Sequence, residues 1–259
     1  MNRFIVRKPI IRKYISFSLL VAILVVAGAL VHAATPNKRV RKSHSMSRTE
    51  VRESERLLSD LGYWTGPVDG VLDGKTREAL IAFQKFSGIE ATGRLNREVL
   101  ELIRNATAPQ AKDPGYRHVE IDLDRQVIFF VDDEGKVSKM LPVSTGGGQH
   151  YNQNGMSGIA YTPRGRFRVY AKAMGWKKSP LGMLYFPNYF SDGLAIHGNS
   201  EVPVTPKSHG CVRIPTFASA QVSKMMPVGT IVLIYDTQSF VSAKDWADEQ
   251  KPIQVDTIQ

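Results

Sequence analysis

The sequence predicts a multi-domain chain: a small three-helix domain, then a larger, mainly β, sandwich-like domain. Three observations carry this reading. Apolar residues recur at helical spacing between Val51 and Ile103, with glycine-bearing turns between the runs. The segment from Thr107 to Tyr116 holds Pro109 and Pro114 and has no apolar period. From His118 to Tyr235 the texture changes to short strand-like runs broken by Gly and Pro, the pattern of a sandwich or barrel-like sheet.

Composition sets the bounds. The 259 residues are 42% apolar and 22% charged, ordinary for a globular protein with room for one large or two small domains. The net charge of +10 is local: ten basic residues and no acid lie in residues 1–48, and the other 24 basic residues are matched by all 24 acidic ones. The folded part is therefore near neutral, and nucleic acid is not an expected partner. The basic excess is targeting and membrane-surface charge.

Arg3 to Lys13 is a positive flank, Tyr14 to Val31 an apolar run, and Val31-His32-Ala33 a pattern for cleavage after Ala33. Residues 1–33 are expected to be a secretory signal peptide or an uncleaved anchor. The run is at the short end of the ~17–25 residues that span a bilayer. Either reading places the remainder outside the cytoplasm, in the periplasm or cell wall, with membrane contact only through this segment. Residues 34–48 are polar and basic, a spacer.

The helical domain is expected over 49–104. Val51, Leu57, Leu58 and Leu61 have helical spacing, and Gly62 stops the run. Gly62 to Gly70 is rich in turn residues. Lys75 to Phe86 is a second amphipathic helix, and Asn96 caps a third with Val99, Leu100 and Ile103 inward. The string Leu61-Gly62-Tyr63, Gly66, Val68-Asp69-Gly70, Gly74, Thr76, Ala79-Leu80, Phe83-Gln84, Gly88 and Thr92-Gly93 resembles the three-helix peptidoglycan-binding domain, which implies binding to wall glycan and peptide. Tyr63, Trp64 and Asp69 are the expected contacts, with turn scaffolding as the alternative.

Residues 105–116 are expected to link to a β domain over 117–236, followed by a tail, 237–259. The runs His118–Leu123, Val127–Val131, Val137–Val143, Arg166–Tyr170, Leu194–Ile196 and Ile231–Tyr235 are strands, and Phe217–Met226 is a helix stopped by Pro227-Val228-Gly229. A strand ending at Ile196 presents His197, and the loop that follows returns with Ser208-His209-Gly210-Cys211, whose cysteine is the only one in the chain. An imidazolium beside a thiol lowers its pKa, giving a nucleophile at neutral pH and a carrier for the leaving group's proton. Gly210 permits a tight turn with a backbone N–H free for an oxyanion. Arg213 favours the thiolate or holds a carboxylate. On residue types alone three readings stay open: a nucleophile, a buried inert cysteine, or a zinc site from His197, His209 and Cys211.

His197-Gly198 followed by Ser208-His209-Gly210-Cys211-Val212-Arg213 resembles the signature of L,D-transpeptidases, the YkuD-like catalytic domain. Val119-Glu120-Ile121-Asp122, Arg125-Gln126, Pro142-Val143-Ser144-Thr145-Gly146 and Thr162-Pro163-Arg164-Gly165-Arg166-Phe167 agree in order. The resemblance implies a cysteine acyltransferase with Cys211 as nucleophile and His197 as base and acid. His209, Gly210 and Arg213 complete the catalytic set. Ser208, Gly198, Trp176 and Tyr185 are expected at the substrate. It implies no metal and no cofactor, with peptidoglycan stem peptides and glycan as partners. The implied reaction is a 3→3 cross-link through a Cys thioester. L,D-carboxypeptidase activity and wall-protein attachment are its variants; a zinc amidase or a non-catalytic wall-binding protein are rivals of other classes. Gly198 stands where some members carry Ser, so a backbone carbonyl is expected to orient His197. Gly146 to Gly155 looks like an insertion. Six basic residues between Arg164 and Lys178 form either a solvated strand face or an attractor of carboxylate-bearing stems.

Overall fold

The computed structural model of the chain describes residues 45–238. The expected signal peptide or anchor, residues 34–44 of the expected spacer and nearly all of the tail lie outside the described residues. Among the described residues no helix is long and apolar enough to cross a membrane.

Three capped helices come first. Ser47 opens α1 (Arg48–Asp60) with a capping box: its hydroxyl accepts the Glu50 N–H at 3.3 Å and the Glu50 carboxylate accepts the Ser47 N–H at 2.8 Å. Gly62 takes φ 92 just past the end, the left-handed stop that glycine supplies. Asp73 caps α2 (Gly74–Phe86) by accepting from Lys75 and Thr76 N–H, and Asn96 caps α3 (Arg97–Arg104) by accepting from Val99 N–H. The helices therefore start where short polar side chains replace the missing intrahelical acceptors.

The first sheet runs β3 (Val137–Pro142), β2 (Val127–Val131), β1 (His118–Asp122), β12 (Ile231–Tyr235), β6 (Gly165–Arg168), with only β1 and β12 parallel. One face packs Val119, Ile121, Ile128, Phe130, Val232 and Ile234 against the second sheet and α4 (Thr216–Met225). The opposite face of β2 and β3 packs Val127, Phe129, Val131 and Met140 under the three helices. Covering both faces explains why β2 reads as an unbroken apolar run, Val-Ile-Phe-Phe-Val, instead of an alternating one. The turn after α1 also pairs with the sheet edge: Met140 N–H donates to Gly62 O at 2.8 Å and Trp64 N–H to Met140 O at 3.2 Å. Tyr63 is 1% exposed within this seam, so it packs rather than reaching for glycan. One Asp69 carboxylate oxygen accepts Val71 N–H within its own turn.

β1 is buried at all five positions, though its alternate residues are polar. The Glu120 carboxylate accepts from His118 Nε2, from Tyr235 OH, and from the backbone N–H groups of Lys112 and Asp113. The segment before β1 is thereby tied to the sheet.

The second sheet runs β11 (Val212–Pro215), β10 (Leu194–Asn199), β9 (Gly182–Ser191), β7 (Ala171–Lys172), with β8 (Trp176–Ser179) also on β9. A separate hairpin, β4 (His150–Gln153) and β5 (Met156–Ile159), overlaps the stretch from Gly146 to Gly155 expected as an insertion and runs past it.

Candidate active site

The site is built on the outer face of the second sheet. β10 and β11 are parallel, with Ile196 opposite Val212 and His197 opposite Arg213. Ile196, Val212 and Ile214 enter the core, so the alternation of a strand sends His197, Asn199, Cys211 and Arg213 the other way. All four line one cavity of about 410 Å³. Tyr189, opposite Ala195 on β9, lines it from the neighbouring strand. The β4–β5 hairpin and the turn between β8 and β9 form its walls, and their tips meet where Asn154 Nδ2 donates to Pro180 O at 2.8 Å.

His197 does not follow a strand end, as the sequence suggested; β10 continues through Asn199. The pairing partner changes from Asn188 opposite Ile196 to Tyr185 opposite Gly198. Two residues of β9, Phe186 and Pro187, thus face the single His197, which is a β-bulge. Phe186 sits at φ 48, and proline, lacking an N–H, is at home in such a break.

His197 is 2% exposed, and its Nδ1 lies 2.9 Å from Gly198 O. A carbonyl accepts only, so Nδ1 carries the proton and Nε2 is left with its lone pair. The carbonyl thus takes the orienting place. Gly198 itself faces α4, not the cavity: a Cβ there would lie 2.1 Å from Ser219 Oγ and 3.1 Å from Tyr185 Cδ1.

Electrostatics correct the expected ion pair. Burial, with the Arg213 charge adding to it, lowers His197 to about 4 against the opposing pull of the Gly198 carbonyl. Burial pushes the Cys211 thiol up, only partly offset by the Ala195 backbone and Arg213. Desolvation disfavours the charged form of each, so the resting pair is a neutral thiol and a neutral imidazole.

The loop before Cys211 is braced from within. The buried Ser208 hydroxyl accepts Gly210 N–H at 3.0 Å and donates to Cys211 O. Gly210 adopts φ 141, where a Cβ would meet Tyr161 O at 2.7 Å, and its carbonyl accepts from Thr162 Oγ1 at 2.7 Å. Gly210 N–H is therefore not free for an oxyanion, contrary to expectation. The Cys211 N–H has no protein partner among the described residues.

The expected substrate residues divide. Ser208 reaches the cavity wall, but its hydroxyl is used inside the loop. His209 lines the cavity with its ring edge-to-face on Tyr151 at 4.8 Å. Trp176 and Tyr185 lie outside the cavity, paired with each other across β8 and β9 at 4.7 Å; Trp176 is 52% exposed. Of the six basic residues, Arg164 pairs with Asp236, Arg166 reaches Tyr116 OH, Arg168 donates to Gly229 O and Lys172 to Ser223 O. Arg164 and Arg168 stay solvent-exposed while making these bonds, in keeping with a solvated strand face, and the Arg166 side chain is largely buried; Lys178 alone of the six lines the cavity. Sequence reading missed Tyr151, Met183 and Asn199. For Asn199 the signal was strand alternation through β10. Among the described residues no three His, Cys, Asp or Glu side chains converge as metal ligands.

Residues 47–103 match the peptidoglycan-binding domain family, and residues 116–234 match the family of L,D-transpeptidase catalytic domains. An L,D-transpeptidase structure from Xylanimonas cellulosilytica is 37% identical, covering 72% of this chain and 93% of that one, with a TM-score of 0.68. An L,D-transpeptidase from Stackebrandtia nassauensis is 23% identical over 71% of this chain and 89% of that one, with a TM-score of 0.41. The localization factor PodJL of Caulobacter vibrioides is 43% identical over 47 residues, 18% of this chain; the match spans 5% of that curated relative's length.

Proposed function

The chain belongs to the L,D-transpeptidase family, and we propose that it acts on peptidoglycan tetrapeptide stems outside the cytoplasm, forming 3→3 cross-links through a thioester on Cys211. The observation that carries this reading is the single cavity shared by Cys211 and a His197 whose Nδ1 is held by the Gly198 carbonyl. That tautomer leaves Nε2 as the base.

The chemistry runs in two acyl transfers. Sγ of Cys211 attacks the carbonyl carbon of the third stem residue as Nε2 of His197 takes the thiol proton. The Cys211 N–H, which has no protein partner among the described residues, is available as a donor for the oxyanion. Collapse breaks the amide bond, and His197 returns its proton to the departing D-alanine amine. A side-chain amine of a second stem then attacks the thioester and gives its proton to His197, which passes it to the leaving sulfur. Because both groups start neutral, charge appears only as the bond forms, and the Arg213 guanidinium is placed to favour the developing thiolate. Water in place of the second amine gives L,D-carboxypeptidase activity from the same groups. A wall protein's lysine would make the attachment variant.

Intact mass after incubation with a carbapenem, beside Cys211→Ala, tests the acyl site. One adduct on the wild type, absent from the variant, is expected. A thiol inert to both carbapenem and small alkylators would overturn the reading. Product analysis with tetrapeptide stems separates cross-linking from trimming.

A further inference from the structure

Helix α2 sends one long side chain into the sheet. Lys85 is buried, and its Nζ donates to Val143 O at 2.8 Å and to Gln126 O at 3.3 Å. Those carbonyls belong to one knot, since Val143 N–H also donates to Gln126 O at 2.9 Å. Gln126 holds φ 54, a left-handed conformation uncommon outside glycine, and its side-chain amide clasps Thr145. Nε2 donates to Thr145 Oγ1 at 2.8 Å, and Oε1 accepts Thr145 N–H at 2.9 Å.

The series continues into the site. Thr145 O accepts Ser208 N–H at 2.9 Å, and the Ser208 hydroxyl holds both Gly210 N–H and Cys211 O. The residue between Val143 and Thr145 is Ser144, which exchanges two backbone bonds with Arg213 at 3.1 and 3.0 Å. An unbroken run of hydrogen bonds thus joins the helical domain to the cysteine's loop and to the cation beside it.

Packing alone does not call for a lysine here. Burial holds Lys85 down to about 8, with only the Glu78 charge working against it. An apolar side chain of similar length would fill the space without burying a charge. What lysine adds is a pair of directed donors at the two strand ends.

We propose that Lys85 is a positioning residue for acyl transfer: through Gln126 and Thr145 it sets the Ser208–Cys211 loop, which makes the helical domain part of the catalytic unit. This rests on the reading of Cys211 as nucleophile.

The test uses the full chain as wild type, Lys85→Met, Thr145→Val and the double variant. It reads the rate of Cys211 acylation by a carbapenem, together with kcat and KM on a tetrapeptide stem. Each single variant is expected to lower the acylation rate and kcat about tenfold, with KM within about twofold. The double variant should be no slower than the slower single variant, as for two members of one network. A purely structural lysine would lower Tm and leave kcat per folded molecule unchanged, and that result overturns the proposal, as does full additivity. If Lys85→Met does not fold, Thr145→Val decides alone, and an unchanged kcat there overturns it. A wild type that is neither acylated nor active removes the functional reading itself, and this inference with it.

Discussion

The Ser208 hydroxyl spans the turn ahead of Cys211, accepting the Gly210 N–H and donating to the Cys211 carbonyl. A side chain expected beside the substrate is, in this fold, a brace for the turn that ends at Cys211. Its removal would leave two backbone groups in need of partners, at a cost of about 1–3 kcal/mol. Ser208→Ala is therefore expected to slow Cys211 acylation by about tenfold or more, and Ser208→Thr, which keeps the hydroxyl, to restore much of it. Intact-mass kinetics with a carbapenem check this.

The neutral pair has a pH signature. Alkylation of Cys211 by iodoacetamide is expected to keep rising with pH past the ordinary thiol pKa of about 8.5, because burial pushes this thiol up. A rate already level below pH 7 would reveal a preformed thiolate and contradict the assignment.

His197 also links acidity to stability. The unfolded imidazole titrates near 6.5, and burial lowers the folded one to about 4. Between those values the unfolded state binds the additional proton, so stability is full above about pH 6.5 and falls as pH drops toward 4. Denaturant titrations across that window should show a shallower decline in His197→Asn.

Gly198 has no room for a side chain, with Ser219 Oγ 2.1 Å from its ideal Cβ. Gly198→Ala is expected to destabilise by about 1–3 kcal/mol through overpacking. Ser219→Gly in the same chain should recover part of the loss by clearing the contact. Urea midpoints of the wild type and the two variants measure this, and equal midpoints for wild type and Gly198→Ala would refute it.

Glu120 is held below its ordinary carboxyl value: burial pushes it up, but the His118 ring and the Lys112 and Asp113 N–H donors outweigh that. Its contribution is present above the unfolded Glu pKa of about 4.3 and is lost as pH falls through the lower folded value. Glu120→Ala, which removes the acceptor of His118 Nε2, of Tyr235 OH and of two backbone N–H groups, is expected to cost about 3 kcal/mol at pH 7. Glu120→Gln should cost less and flatten the acid limb of the stability curve.

Much of this protein was legible in the order of its residues. Asn96 before Val99 marked a helix start, Gly62 marked a stop, and the runs from His118 to Val131 marked two strands. Each of these depends on neighbours within a few positions. The His197-Gly198 and Ser208-to-Arg213 strings likewise carried the family, because a motif is itself local. The β4–β5 hairpin was not legible, since exposed polar strands such as His150–Gln153 have no apolar alternation to announce them. Nor was the bulge opposite His197, which depends on which residues of β9 pair with it.

By itself, then, the sequence determined the helices, most strands of the first sheet and the family signature that singles out Cys211 and His197. Only the tertiary structure decided the protonation of that pair, the loss of Gly210 N–H to Ser208, the exclusion of Trp176 and Tyr185 from the cavity, and the reach of Lys85 into the sheet. The physical reason is range. Caps and periodicity act over one or two turns of chain, whereas desolvation and directed hydrogen bonds act on whatever the fold brings within a few ångströms. For Lys85 that means a carbonyl 58 positions away.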